Sequence, residues 1–365
     1  MMSKFSILVS ELTACYGGME AVELQYCREL EKAGIRSDFI VRRQDITYLD
    51  KMPSGSRLLY IPEKVSNPAE YKRALRDVFS ETSGYQVFWA NHNQLTNIDF
   101  LRAATESGIP IRILHSHNAG MNGSFLRRAV HGLNRQSAVR LSNRHVACSK
   151  SAGEFMFGDG EFAVLPNLID INSVSFDAKK RRAIRASLGY EGCFVYGAVG
   201  RIETVKNHIF LLNLFPRLLG QNPSARLVVV GEGSKLNELK EAVDSFGLSS
   251  FVSFVGVQDD VQGYLSSFDC FCMPSLFEGL PLSLLEAQFN GLPCVCSANI
   301  DQAVSISNAV QFVPLDNQEE WITQLSKASR AGVELREESK VFDSRNAVES
   351  FLKLINDEKL PISER

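Results

Sequence analysis

Glu278 and Glu286 stand with seven residues between them in the stretch FEGLPLSLLEAQFNGLP, Phe277 to Pro293. Gly279 and Pro281 fit a tight turn that opens a helix at about Leu282. That places Glu278 on a loop and Glu286 about one turn inside the helix. A helix N-terminus offers unbonded N–H groups and the positive end of the macrodipole, which suit a phosphate or a sugar hydroxyl. A loop carboxylate and a helix carboxylate can grip two polyol parts of one ligand. The same pair also reads as a helix-start acid and a solvated helix residue, and spacing alone does not separate the two readings.

A second group lies in GRIETVKNH, Gly200 to His208, directly after the strand-like run Phe194–Val199. Arg201 and Lys206 on one strand-to-helix loop suit a diphosphate, the guanidinium bidentate and the ammonium as a point charge. Surface loops often carry such cations, so alone the motif is weak. Gly17-Gly18, after the first strand, allows close backbone approach to a ligand, or is a plain strand-to-helix turn. His115-Ser116-His117-Asn118 ends another strand-like run, Ile111–Leu114, and the alternation puts both imidazoles on one face. Zinc is one reading, but no further ligands stand nearby. His92, between Asn91 and Asn93, is a weaker candidate. His131, His145 and His208 read as structural or surface residues. Asp259-Asp260 is a loop pair without the spacing of a metal motif.

These residues need elements to hold them. The chain has 365 residues, 45% apolar and 22% charged, with a net charge of -3. That length favours two domains of roughly 150–200 residues, and the balance excludes long disorder and gives no reason to expect nucleic acid. Short apolar runs alternate with amphipathic stretches: Phe5–Val9, a helix Met19–Ala33, then Ser37–Val41, Arg57–Ile61, Gln86–Ala90, Ile111–Leu114 and His145–Cys148. The pattern restarts at Phe194–Val199 and continues through Leu227–Val230, Val252–Val255, Cys270–Met273 and Pro293–Cys296. Such repetition predicts an α/β chain with two doubly wound, Rossmann-like domains joined near residues 168–178. Ligands of such sheets bind beyond the carboxyl ends of strands, so a cleft between the domains is the expected site. The expected division is 1–170, 171–343, and a C-terminal helix and tail, 344–365, packing on either domain. Val348, Phe351, Leu352 and Ile355 share one face of that helix.

The eight cysteines, Cys15, Cys27, Cys148, Cys193, Cys270, Cys272, Cys294 and Cys296, lack a C-x-x-C pair and read as buried thiols of a reducing compartment. The start, MMSKFSILVS, fits neither a signal peptide nor a membrane span, which points to the cytoplasm. From Ile111 to Lys150 there are seven Lys/Arg and no Asp/Glu. Arg127, Arg128, Arg135, Arg140 and Arg144 interleave with Phe125, Leu126, Val130 and Leu133. A basic amphipathic segment at 124–145 can lie on the inner face of an anionic membrane, and it can equally be a solvated helix face.

The frame Glu-Gly-Leu-Pro…Glu-Ala…Gly-Leu-Pro resembles the signature of glycosyltransferase family 4, and the likeness runs over nearly the whole chain. It implies the GT-B fold, two Rossmann-like domains facing a central cleft, with the N-terminal one on the acceptor side. It also implies a retaining, metal-independent hexosyltransferase that uses a nucleotide-diphosphate sugar as substrate and needs no cofactor. By the same resemblance Glu278 contacts the donor sugar and Glu286 the ribose. Backbone N–H groups from Gly279, Leu280, Pro281, Leu282 and Ser283 complete that pocket, although Pro281 itself brings none. Arg201 and Lys206 hold the diphosphate and stabilise the leaving group. Gly17 and Gly18 reach the donor phosphate, and Gly231-Glu232-Gly233 lies near the nucleotide. His117 sits near the donor sugar, while His115, Asn118 and His92 are acceptor-side candidates. The His-Ser-His-Asn form is similar to the subgroup that builds bacterial capsular and extracellular polysaccharides. This makes a UDP-linked hexose or N-acetylhexosamine the expected donor and a saccharide, lipid-linked in the membrane reading, the expected acceptor. The family's asparagine-glycine turn appears here as Asn167-Leu168. Two rivals stand: a GT-B-type nucleotide-sugar epimerase, and a non-catalytic nucleotide-sugar-binding subunit that activates a partner. A dinucleotide-binding oxidoreductase is disfavoured because no G-x-G-x-x-G follows a strand.

Overall fold

The structure, a computed structural model, describes residues 5–13, 16–80, 84–120 and 125–357. Cys15, the first residue of the 124–145 segment and the tail 358–365 lie outside the described residues. Contacts divide the chain into two units: one runs to Leu168 and resumes at Val341, the other is Ile169–Lys340.

In the first unit β1 (Ser6–Leu12), β2 (Arg36–Val41), β3 (Leu58–Tyr60), β4 (Val87–His92), β5 (Ile111–Ser116), β6 (Arg144–Ala147) and β7 (Ala163–Val164) form one sheet in the order β3-β2-β1-β4-β5-β6-β7. Every pairing is parallel. The connections carry α1 (Gly18–Lys32), α2 (Pro68–Ser80), α3 (Asp99–Glu106), α4 (Phe125–Leu141) and α5 (Lys150–Phe157). Parallel strands need such crossovers, and the crossovers cover both sheet faces. This is why β1 and β4 carry continuous apolar stretches, Ile7–Val9 and Val87–Ala90, all fully buried.

The second unit repeats the scheme through α6 (Ile171–Val174), α7 (Ala178–Leu188), β8 (Phe194–Val199), α8 (His208–Gln221), β9 (Ala225–Val230), α9 (Leu236–Ser245), β10 (Val252–Phe254), α10 (Val261–Ser267), β11 (Cys270–Met273), α11 (Leu282–Phe289), β12 (Cys294–Ser297), β13 (Val310–Val313) and α12 (Gln318–Lys327). Its sheet order is β10-β9-β8-β11-β12-β13, again all parallel. Both sheets are therefore doubly wound, as expected. The short β7 and the edge strand β13 were not read from the sequence: β7 is two residues long and β13 alternates with an exposed Gln311. On one face Tyr196, Cys270, Cys272 and Val295 pack with α8, α9 and α12 around the fully buried Trp321, whose ring lies 5.1 Å from Phe210. Cys294 pairs in register with Phe271, and Cys296 with Met273, so this second cysteine pair points to the opposite face. All four thiols are buried, and desolvation holds Cys272 and Cys294 well above the usual thiol range, which makes them inert packing groups. The charged run before β8 also turns inward: Arg181 and Arg185 both grip Asp269 just ahead of β11.

The chain ends on the first unit. There α13 (Ala347–Ile355) packs on α1, and Phe351 is fully buried with its ring 5.1 Å from Trp89. The Arg144 guanidinium donates to Leu354 O at 3.1 Å and Ile355 O at 3.2 Å, a cation at a helix C-terminus. Phe351→Ala is expected to destabilise the first unit by about 3–5 kcal/mol, the usual cost of emptying an aromatic site. Denaturant unfolding checks this, and an unchanged midpoint would show that α13 does not contribute to that core.

Candidate functional site

In the second sheet β8 and β11 are neighbours, and here the strand order reverses. The loops leaving their carboxyl ends carry the two strongest motifs. After β8, Gly200 turns the chain at φ 149°, and one 3₁₀ turn, Thr204–Lys206, leads to Asn207 at φ 53° and ψ 38°. After β11 the chain runs through Pro274 to Glu278. The two loops are tied together: Leu276 N–H donates to Val205 O at 2.8 Å, and the Asn207 amide donates to Pro274 O at 3.1 Å. The Glu278 backbone pairs in parallel with Ile300 beyond β12. Lys206 Nζ then lies 2.7 Å from Glu278 Oε1, with the two side chains only 18% and 17% exposed. The sequence assigned these residues to different parts of a ligand, and the structure brings them into one ion pair. Arg201 is exposed on the same loop.

The loop after β9 backs onto this one through backbone contacts that only glycine permits. A Cβ on Gly231, at φ 134°, would come 2.1 Å from Gly200 O, and one on Gly233 would come 2.2 Å from Ile202 O. Ile202 N–H donates to Glu232 O at 2.7 Å. Glu203 fixes the same loop from its side, accepting from Ser234 N–H at 2.9 Å and Ser234 Oγ at 2.6 Å. Glu232 is exposed, and its carboxyl faces Gly256, where a Cβ would sit 3.3 Å from Oε1.

The helix after Glu278 starts at Leu282, where the sequence placed it. No side chain caps it and no acid stands in its first turn. Gly279, Leu280 and Pro281 are buried, while Leu282 and Ser283 are partly covered. Glu286 is a half-covered residue on this helix, and no described residue donates to its carboxylate. Desolvation by the surrounding protein raises its pKa from 4.5 to about 7. Glu286 is thus a partly covered carboxyl and not a fully solvated helix group.

The first unit gathers a second group at the carboxyl ends of β1, β4 and β5, where its own strand order reverses. Gly17 leads into α1, and a Cβ there would meet Glu20 Oε2 at 3.0 Å; Gly18 is open. The buried Glu20 accepts from Thr13 Oγ1 at 2.7 Å. The His117 Nε2 lies 2.8 Å from Asn91 Oδ1, and the His115 and His117 rings are 4.0 Å apart, on one face as expected. His115 is a correction. It belongs to β5, is fully buried, stacks on Trp89 and accepts from its indole N–H at 3.3 Å. It is therefore part of the core and not of an exposed loop beyond the strand. Burial drives the His117 pKa down to about 3, so the ring is a neutral hydrogen-bonding group at neutral pH. His92 is buried, and Asn118 is partly exposed on the loop after His117. His131 accepts from Leu95 N–H at 3.0 Å and stacks on Phe155, a structural role as expected. Among the described residues no group of three His, Cys, Asp or Glu is placed to hold a metal.

Sequence reasoning passed over Asn207, Glu203 and Ile300, which hold the loops in place. An asparagine just before the apolar run His208–Leu212 was a visible helix-start signal. The bonds to Pro274 and Ser234 join residues far apart in the chain and leave no local mark.

A carboxyl raised to about 7 keeps its proton in the folded chain where the unfolded chain has lost it. Its stabilising contribution is thus present below pH about 4.5 and lost as pH rises through about 7. Glu286→Gln, neutral throughout, is expected to show a smaller fall in melting temperature between about pH 5 and about pH 8 than the natural chain. Equal falls would contradict the assignment.

The chain is similar to known proteins along most of its length. The family profile of group 1 glycosyl transferases matches residues 180–340. EpsF of Bacillus subtilis (strain 168), a glycosyltransferase by designation, is 31% identical over 334 residues, covering 88% of this chain and 87% of its own. The UDP-Gal:alpha-D-GlcNAc-diphosphoundecaprenol alpha-1,3-galactosyltransferase of Escherichia coli is 25% identical, over 81% of this chain and 80% of its own. The crystal structure of Anabaena HepE in complex with UDP and glucose superimposes with a TM-score of 0.75 at 16% identity, covering 97% of this chain and all of that one. The chain belongs to the group 1 glycosyltransferases, the family 4-like enzymes of GT-B fold that act in polysaccharide and glycan biosynthesis.

Proposed function

We propose that this glycosyltransferase moves a hexose or N-acetylhexosamine from a UDP-sugar to a lipid-linked saccharide, with retention at the anomeric carbon. The observation that carries the reading is the Lys206–Glu278 pair at the strand-order reversal, with Arg201 on the same loop. A cation paired with a carboxylate, with a second cation on the same loop, suits a diphosphate joined to a sugar. Lys206 has three N–H donors, so it can keep Glu278 and still donate to a phosphate oxygen. The Glu286 carboxylate would take the ribose hydroxyls, and the uncapped N-terminus of α11 the remaining charge. UDP is the nucleotide named with the HepE structure and with the galactosyltransferase relative, whose acceptor is a diphosphoundecaprenol-linked sugar.

In this reading the bond from the sugar's anomeric carbon to the β-phosphate oxygen breaks, and a bond to the acceptor hydroxyl oxygen forms on the same face. The hydroxyl proton passes to the departing phosphate oxygen. Arg201 and Lys206 offset the charge that grows there, the electrostatic stabilisation that usually dominates such steps. They supply that charge themselves, so the scheme calls for no divalent metal. With its proton on Nε2 toward Asn91, His117 leaves Nδ1 to accept from a sugar hydroxyl. Arg201→Ala and Lys206→Ala are each expected to lower turnover about 100-fold or more with the melting temperature preserved, the scale for losing one charge-stabilising donor. Steady-state transfer assays test this, and full activity in either variant would overturn the assignment.

The membrane part rests on α4. Phe125, Leu126 and Leu133 are 87%, 71% and 78% exposed, and Arg127, Arg128 and Arg140 are exposed on the same helix, which carries no acid. No helix among the described residues is long and apolar enough to cross a membrane. An apolar and cationic helix surface suits the interface of an anionic bilayer, where a lipid-linked acceptor is confined. The chain is expected to sediment with phosphatidylglycerol vesicles and not with phosphatidylcholine vesicles. Phe125→Ser, Leu126→Ser and Leu133→Ser together should abolish the binding; equal binding by this variant would contradict the reading.

A further inference from the structure

The side chain of Asn207 forgoes the local bond its position invites. Asparagine is among the best N-caps, and Asn207 is the N-cap of α8, yet its side chain makes no cap hydrogen bond. It also adopts the left-handed conformation, φ 53°, which asparagine tolerates better than other residues that carry a Cβ. Only one other described non-glycine residue, Asp357 near the chain's end, has positive φ. The backbone of Asn207 is held there from both sides: its N–H donates to Thr204 O at 3.2 Å, and its carbonyl accepts from Phe210 N–H at 3.0 Å. What the left-handed turn achieves is to aim the amide across to Pro274 O, 3.1 Å away on the loop that carries Glu278. A forgone cap and a disfavoured backbone at a functional loop mark a residue kept for geometry and not for local stability.

We infer that Asn207 is a positioning residue for the donor site: its amide bond to Pro274 O sets the distance between the β8 and β11 loops and so fixes Lys206 against Glu278. The residue before it is Lys206 itself, and the next tie between the loops, Leu276 N–H to Val205 O at 2.8 Å, lies on the other side of Lys206. The lysine is thus bracketed by two interloop hydrogen bonds and ends in the 2.7 Å ion pair. Loss of the amide bond frees one end of that bracket. The ammonium then spends part of its time away from the position a diphosphate needs. His208, next along and buried, supports the fixed start of α8: desolvation and the Lys206 charge drive its pKa down to about 4, so it adds no competing cation.

The inference rests on the proposal that Lys206 binds the diphosphate, and a double-mutant cycle on UDP affinity separates the two. Asn207→Gly keeps the left-handed turn at no steric cost and deletes only the amide, so it should fold with a nearly unchanged melting temperature. By calorimetry with UDP, Lys206→Ala should weaken binding about 10-fold or more, and Asn207→Gly about 3- to 10-fold. In the Lys206→Ala background, Asn207→Gly should cost no more than about 2-fold, because a residue acting through Lys206 has nothing left to position. Asn207→Asp, which keeps the shape and removes the donor, should resemble Asn207→Gly. Natural affinity in Asn207→Gly, or an undiminished further loss in the double variant, would overturn the inference. An unchanged affinity in Lys206→Ala would instead overturn the diphosphate assignment.

Discussion

The reversal of strand order between β8 and β11 is the constraint on which the second unit depends. The two strands are adjacent in the sheet, but α8 and α11 pack on opposite faces. Their loops therefore part at the carboxyl edge and leave backbone groups and side chains facing one opening. The Lys206–Glu278 pair, the Asn207 amide and the Leu276 N–H bridge that parting. The glycines of the β9 loop let a third backbone segment press against the β8 loop, which leaves the cationic turn little room to move. A site built from three loops gains its rigidity from the sheet beneath and from these few cross-loop bonds.

The chemistry follows from how differently the site's groups are solvated. Lys206 and Glu278 are paired, and so tolerate partial burial. Glu286 has no described partner and is held near neutrality by desolvation. Such a carboxyl is well suited to ribose, because two vicinal hydroxyls would supply the hydrogen bonds that the protein withholds. In the first unit the same effect works in the other direction. His115 and His117 lose their charge on burial and become neutral groups, one bonded to Trp89 and the other to Asn91. A neutral imidazole discriminates sugar hydroxyls by hydrogen-bond geometry without attracting free anions.

Much of the fold was legible because parallel strands buried on both faces leave continuous apolar runs, as in Phe194–Val199 and Cys270–Met273. The edge strand β13 escaped because its pattern is broken by Gln311. The motif glutamates and cations were visible as residue types, and their loop positions followed from the strands before them. The pairing of Lys206 with Glu278 was not, since their loops meet only through the sheet order. Strand β5 also runs on to Ser116, past the Leu114 expected from the apolar run, so His115 is covered by the core while His117 lies beyond the strand.

In the proposed mode of binding, the carboxyl edge between β8 and β11 would hold a nucleoside diphosphate through Lys206, Arg201 and Glu286. A crystal structure of the chain soaked with UDP tests it most directly. The β-phosphate is expected within hydrogen-bonding distance of Lys206 Nζ and the Arg201 guanidinium, with both ribose hydroxyls on Glu286. A nucleotide bound elsewhere, or one bound here with Lys206 and Glu286 untouched, would contradict it.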